Sequence, residues 1–209
     1  MEFNFGVYIP DSLNISNPNL FQIMQYSGFK SVNVGKARIT GVDVMLTGKG
    51  KIFGLPATLL AGYTYTNPIN LNGIDSSGTS EKNILKYRFY HSAKGDFEVT
   101  WKHMIVGLGI VYFSNMISID KAFEDPVIPL NPNLPDSFLD KYRILPGLKN
   151  YRKEHDKGRT VVDARLSYQI NDELRFSLIV KNLFNQEYMG RPGDIGAPRN
   201  ITVQFVADI

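Results

Sequence analysis

Cysteine is absent from the 209 residues, which excludes a disulfide framework and any thiolate metal site. Only three histidines occur, and His91, His103 and His155 stand too far apart to share ligand spacing, so no metal site is expected. Long apolar runs are missing as well. The longest, Met104 to Phe113, is half of the roughly 20 residues that a membrane-spanning helix needs. No glycine-rich phosphate loop, nucleophile elbow or carboxylate pair with separable acid and base roles is present, so neither catalysis nor a cofactor is expected. An excess of one charge is also lacking. The net +3 is too small to imply a nucleic-acid partner without a concentrated basic patch. Met1 to Pro10 holds Glu2 and has neither a basic leader nor the apolar centre of an export signal.

What is present favours strands. With 43% hydrophobic and 21% charged residues a folded body is expected. Eleven Tyr and thirteen Phe stand against one Trp, an enrichment that suits β-structure and a membrane interface alike. Period-two alternation recurs along the chain. Val162, Ala164, Leu166, Tyr168 and Ile170 alternate with Asp163, Arg165, Ser167 and Gln169. Leu174, Phe176, Leu178 and Val180 alternate with Arg175, Ser177, Ile179 and Lys181. Ile201, Val203, Phe205 and Ala207 face away from Asn200, Thr202, Gln204 and Val206. Ala93, Gly95, Phe97, Val99 and Trp101 do the same against Ser92, Lys94, Asp96, Glu98 and Thr100. A helix would scatter these sets, whereas a strand puts each on one side.

About eight strands are expected, at 2–9, 28–49, 55–67, 86–102, 104–117, 158–170, 173–184 and 199–207. In the second the phase slips near Gly41, where a bulge would explain the change from Ala37 and Ile39 to Val42, Val44 and Leu46. The fifth is apolar on both parities, which leaves its facing open; Gly107 and Gly109 within it are read as backbone packing. Connections alternate in length. Segments 10–27, 68–85, 118–157 and 185–198 are long and rich in Pro, Asn, Gly and Asp, while those near 50–54, 102–103 and 171–172 are short. Transmembrane barrels sort their loops in this way. With the long loops outside, Tyr63 and Tyr65 fall at one rim and Trp101 and Tyr168 at the other, as two aromatic girdles require. Strand-end Tyr and Trp also follow from polar tips seeking water. Likewise the polar faces, with Lys94, Asp96 and Glu98 or Asp163 and Arg165, suit either a lumen or a solvated surface.

Local wording narrows the choice. The run Val34-Gly35-Lys36-Ala37-Arg38-Ile39-Thr40-Gly41-Val42-Asp43 resembles a strand from the distal half of TonB-dependent receptor barrels. Lys181-Asn182-Leu183-Phe184-Asn185-Gln186-Glu187-Tyr188 is similar to the same family's N-L-F-[ND]-x-x-Y signature at the penultimate strand. Gly190-Arg191-Pro192-Gly193, and Pro198-Arg199-Asn200-Ile201 leading into the last strand, resemble its approach to closure. The resemblance runs from about Gly28 onward. It departs at the end, where Val206-Ala207-Asp208-Ile209 follows the final aromatic, Phe205, instead of the chain ending on an aromatic.

The resemblance implies an all-β fold, an antiparallel up-and-down transmembrane β-barrel. Residues 1–209 would be the C-terminal part of a barrel of about twenty-two strands. The plug, the TonB box and the first half of the barrel are expected to lie outside this sequence. Implied partners are outer-membrane lipid, those missing receptor parts, the TonB complex through the plug, and a nutrient ligand. The implied function is TonB-driven uptake across the bacterial outer membrane, of a ferric siderophore or similar iron complex. External loops supply ligand contacts in such receptors, which points to Tyr142, Arg143, Tyr151, Arg152 and His155 in loop 118–157 and to Tyr188 and Arg191 in the last loop. Cations and rings clustered there suit an anionic chelate, and equally suit a solvated charged loop. Two alternatives stand beside this reading. A small autonomous eight-stranded barrel would close strand 2–9 on strand 199–207. A soluble β-sandwich binding module would stack its apolar faces together.

Overall fold

The computed structural model describes residues 2–7, 27–32, 36–71, 83–126 and 130–207. Nine strands are found among these residues: β1 (Glu2–Val7), β2 (Ser27–Val32), β3 (Ala37–Ile52), β4 (Leu55–Asn70), β5 (His91–Trp101), β6 (Met104–Phe113), β7 (Arg159–Gln169), β8 (Leu174–Lys181) and β9 (Asn200–Ala207). β1 and β2 form an antiparallel pair, and β3 to β9 form one seven-stranded sheet in sequence order. From β4 to β9 each strand pairs antiparallel with the next. The fold class expected from the sequence is therefore found: an up-and-down, all-β meander.

The sheet has two open edges, β3 and β9, and its order contains no pairing of β1 with β9. The closure that an autonomous eight-stranded barrel needs is not made among the described residues. The strand read at 104–117 ends at Phe113, and two other boundaries differ further from expectation. The strand read at 28–49 is divided between β2 and β3, with residues 33–35 outside the described residues. The strand read at 86–102 begins only at His91. The reason lies in side chains: Lys86 Nζ reaches Asp120 at 2.5 Å, both are buried, and the Tyr87 hydroxyl donates to the same carboxylate. Tyr87 takes a positive φ of 61° to do so, which breaks the extended run. Of the long connections, most of 10–27 and residues 72–82 lie outside the described residues.

Register makes one side of the sheet continuous. Phe97, Leu108, Ala164, Val180 and Ile201 are consecutive cross-strand partners. So are Val99, Val106, Leu166, Leu178 and Val203. Next to these, Trp101, Met104, Tyr168, Phe176 and Phe205 form a mostly aromatic row at the end with short turns. At the other end Tyr63, Ala93 and Tyr112 are partners. From Ala93 to Trp101 is eight residues, about 26 Å along a strand at ~3.3 Å per residue. Tilted near 40°, such a strand rises about 20 Å, close to the ~25 Å apolar band between two girdles.

These side chains are left uncovered: Leu108 is 49% exposed and Phe205 61%. A contiguous apolar face seven strands wide far exceeds the patches of a few hundred Å² that soluble monomers expose. Leaving each such side chain in water forgoes about 1.5–3 kcal/mol. The face therefore requires a non-aqueous cover. The β-sandwich alternative needs these faces stacked on a second sheet, and their exposure contradicts it.

The opposite side is polar, and β6 is now placed. Val106, Leu108 and Ile110 belong to the apolar side, whereas Gly107 and Gly109 share the polar side with Arg165 and Asp163. Arg165 lies across Gly107, where a Cβ would meet its guanidinium at 2.8–3.1 Å. It thereby reaches Asp96 on β5 through two bonds of 2.7 and 2.8 Å. The glycine clears a path for a side chain as well as letting strands pack. Gly41 has a different role. Its Cβ would lie 2.1 Å from the Tyr65 carbonyl oxygen of the neighbouring strand. Phe53 and Gly54, at φ 51° and 81°, make the tight turn between β3 and β4.

Candidate functional site

Short turns at 53–54, 102–103 and 171–173 leave one end of the sheet, and the long connections leave the other. Connections carry recognition because they are free of the ladder, which makes the long end the candidate. The residues divide into two compact units.

Within the sheet's own unit, Arg159 is the first residue of β7 and lies opposite Phe113 on the polar side. Its guanidinium carbon is 4.8 Å from the Phe113 ring centre, 5.0 Å from Phe89 and 5.7 Å from Tyr188. Three ring faces round one cation is a favourable electrostatic arrangement, worth about 0.5–1 kcal/mol per contact at exposed sites. Arg159 also donates through Nη1 to the Met189 carbonyl. It borders a hollow of about 470 Å³ lined by Val111, Phe113, Asp163, Lys181, Tyr188 and Asn200, among others. A second hollow of about 260 Å³, with Asp43, Thr64, Ser92 and Lys94, shares Val111 and Phe113 with the first. Together they run along the polar wall toward the long-connection end. Their cations are Lys94, Arg159 and Lys181; their rings are Phe113 and Tyr188.

Tyr188 belongs to the connection 182–199, which is a built structure. Asn182 is 3% exposed and takes φ 50°, a left-handed conformation that Asn tolerates better than most residues. Its amide nitrogen Nδ2 donates to the carbonyls of Gln186 and Ala197 at 2.9 and 3.1 Å. Its Oδ1 accepts from the Gln186 backbone N–H at 2.8 Å, and its own N–H donates to Asp163 Oδ1 at 2.8 Å. Asn185, at φ 51°, accepts the Arg199 N–H at 2.9 Å. Beyond this, Met189 and Ile195 bridge, and Gly196 N–H donates to the Tyr188 carbonyl at 2.8 Å. The Tyr188 ring lies against Gly196, where a Cβ would come within 2.1 Å of it. Arg191 is exposed at the tip.

In the other unit, Arg143 is buried, its side chain 1% exposed. Nη2 donates to Asp136 Oδ1 at 2.5 Å, Nη1 to Asp140 Oδ1 at 2.8 Å and Nε to the Glu124 carbonyl at 2.6 Å. The Arg143 hydrogen bond, then that from Lys149, holds the Asp136 carboxyl below the usual carboxylate range. Burial works against the Arg143 charge, but its bonds to Asp136 and Asp140 outweigh that, and its pKa is raised. Tyr142 stacks obliquely on Phe138, ring centres 5.4 Å apart. Tyr151 lies in the short helix Leu148–Glu154, its N–H bonded to the Gly147 carbonyl.

Two further loop residues expected from sequence, Arg152 and His155, fall in the sheet's unit; Arg152 Nη2 donates to the Met116 carbonyl at 2.8 Å. Of the expected residues, Tyr188 is thus brought onto a cation, and Arg143 is committed inside its own loop. Arg159 was not anticipated. Its signal would have been the register that sets it opposite Phe113. No cluster of three or more His, Cys, Asp or Glu able to hold a metal occurs among the described residues.

Residues 4–183 match the family described as "TonB dependent receptor-like, beta-barrel". No curated protein sequence matches the chain. Among solved structures, the ferric-catecholate import receptor Fiu of E. coli K12 is 22% identical with a TM-score of 0.57, over 82% of this chain and 21% of that one. The ferripyoverdine receptor of the outer membrane of Pseudomonas aeruginosa, bound to ferripyoverdine, is 18% identical with a TM-score of 0.56, over 99% of this chain and 24% of that one. These identities speak for the fold alone, and the chain spans between a fifth and a quarter of the receptors' length. With the family match running through the sheet described above, the chain belongs to the TonB-dependent receptor-like β-barrel family.

Proposed function

We propose that this chain forms the C-terminal section of an outer-membrane receptor barrel that takes up a ferric siderophore or similar anionic iron complex, with energy from TonB. The apolar side faces lipid and the polar side lines the lumen. Each open edge carries unpaired backbone groups, which cost several kcal/mol apiece, on the order of a lost hydrogen bond, where no water reaches them. The edges of β3 and β9 therefore call for further strands of the same receptor, and its plug fills the lumen and carries the TonB contact.

The observation that carries the substrate reading is Arg159, ringed by Phe89, Phe113 and Tyr188 at the margin of a 470 Å³ hollow that also holds Lys181. Cations supply charge-assisted bonds to an anionic chelate, and rings supply faces for its aromatic or apolar parts. Arg152, His155 and Arg191 stand on connections within the sheet's own unit and add peripheral contacts. Arg143, with its donors engaged by Asp136, Asp140 and the Glu124 carbonyl, shapes its loop.

The test is binding and uptake of iron-55 ferric tris-catecholate by cells making the receptor. Arg159→Ala should weaken binding about tenfold, the scale of one charge-assisted bond. Binding that survives Arg159→Ala and Lys181→Ala together at full strength would refute the assignment.

A further inference from the structure

We propose that Asn182 is a positioning residue: it locks the connection 182–199 shut so that the Tyr188 ring is held over Arg159 before any ligand arrives. This rests on the reading of the Arg159 hollow as the ligand-facing wall and assigns the residue that organises it. Asn182 acts on the Tyr188 ring through the backbone, not by binding it. Its side chain instead spans the neck of the connection, binding Gln186 on the outgoing limb and Ala197 on the returning one. Both Nδ2 donors and the Oδ1 acceptor are used, at 3% exposure, so the neck is closed without water. A closed neck fixes what lies between. Tyr188 and Gly196 sit two residues beyond Gln186 and one before Ala197, and are tied by the Gly196 N–H to the Tyr188 carbonyl.

The ring then has little freedom. Gly196 leaves room for its face on one side, and the Arg159 guanidinium stands 5.7 Å from its centre. The Met189 carbonyl, next along, accepts from that same guanidinium. Preorganisation of this kind raises affinity by removing the ordering cost of the loop. It also explains why a residue at positive φ is Asn and not Gly: the backbone would accept either, but only Asn supplies three side-chain bonds.

The experiment uses the intact receptor in outer-membrane vesicles, with ferric tris-catecholate as probe and amide hydrogen exchange as an independent readout. Asn182→Gly keeps the backbone conformation and deletes the neck bonds. It should raise exchange at the Gln186, Gly196 and Arg199 amides by about tenfold or more, with Leu166 and Leu178 unchanged. It should weaken probe binding about fivefold, Tyr188→Ala should do the same, and the double variant should be no more than about twofold worse than either. Gly196→Ala displaces the ring and spares the neck, so it should lose affinity while exchange at Gln186 stays protected. Unchanged exchange in Asn182→Gly overturns the lock. Losses that multiply in the double variant, as a merely structural Asn182 would give, overturn the positioning role. A wild-type receptor that fails to bind the probe removes the chelate reading, while the exchange arm still decides whether the lock exists.

Discussion

Arginine in place of Leu108 separates hydrocarbon from water as the neighbour of the apolar face. Leu108 lies at the centre of β6, four residues from Met104 in one rim row and four from Tyr112 in the other. At ~3.3 Å per residue that is about 13 Å along the strand, or about 10 Å of depth for a strand tilted near 40°. The side chain is 49% exposed. If its surroundings were water, Leu108→Arg would change stability by no more than about 0.5 kcal/mol. In a bilayer, a cation at that depth costs about 2–4 kcal/mol. Gln204→Arg is the matched control, exposed on the polar side of β9 opposite Ser177. Tryptophan fluorescence of the whole receptor, with Trp101 in the rim row contributing, reports unfolding. Urea titration in phospholipid vesicles should place Leu108→Arg at least about 2 kcal/mol below Gln204→Arg. Equal midpoints for the two variants would refute a lipid-facing β6.

Two glycines of β3 should respond in opposite directions. Gly41→Ala drives a Cβ against the Tyr65 carbonyl, which is backbone and cannot swing aside, and should cost about 2–4 kcal/mol from overpacking and a weakened ladder. Gly50→Ala meets nothing within 4 Å, and should be neutral or stabilising by about 0.4–1 kcal/mol in the same urea assay. In loop 130–157, the lowered Asp136 pKa means that its pairing with Arg143 is intact above the ordinary aspartate value and is lost as pH falls through the lower folded one. The Arg143 side-chain N–H resonances, which report its bond to Asp136, should therefore hold steady from about pH 8 down through the ordinary aspartate value of about 4 and move only below it.

The strands that could be read from sequence are those whose two sides differ in chemistry. β7, β8 and β9 lie inside the expected 158–170, 173–184 and 199–207 because Asp163, Arg165 and Ser177 alternate with Val162, Leu166 and Leu178. β6 resisted because its lumen-parity side has no polar side chain of its own, only Ile105, Gly107, Gly109, Val111 and Phe113. The polar groups over Gly107 and Gly109 belong to Arg165, Asp163 and Asp96 on other strands, and no window along β6 contains them. The stretch 86–90 departs from the expected strand for a related reason: Asp120, thirty-odd residues on, draws Lys86 and Tyr87 out of line. In loop 118–157, sequence shows that Arg143 is charged but not that Asp136 and Asp140 already neutralise it.

The same logic explains why family is easier to read than substrate. Each letter of Asn182-Leu183-Phe184-Asn185 answers to geometry within a few residues or on the adjoining strand. Two asparagines take positive φ and close a neck, the Leu183 N–H extends the ladder to the Val162 carbonyl, and Phe184 stands exposed. A word whose reasons are local can be recognised locally. The group round Arg159 is assembled from Phe89, Phe113, Arg159 and Tyr188, four segments brought together only by register and by the closed neck. No motif spells it, and changing any one ring alters what the cation can hold while leaving the motif and the meander as they are. On the proposed reading, selectivity for one chelate over another is therefore free to vary on a wall whose strands and final turn stay fixed.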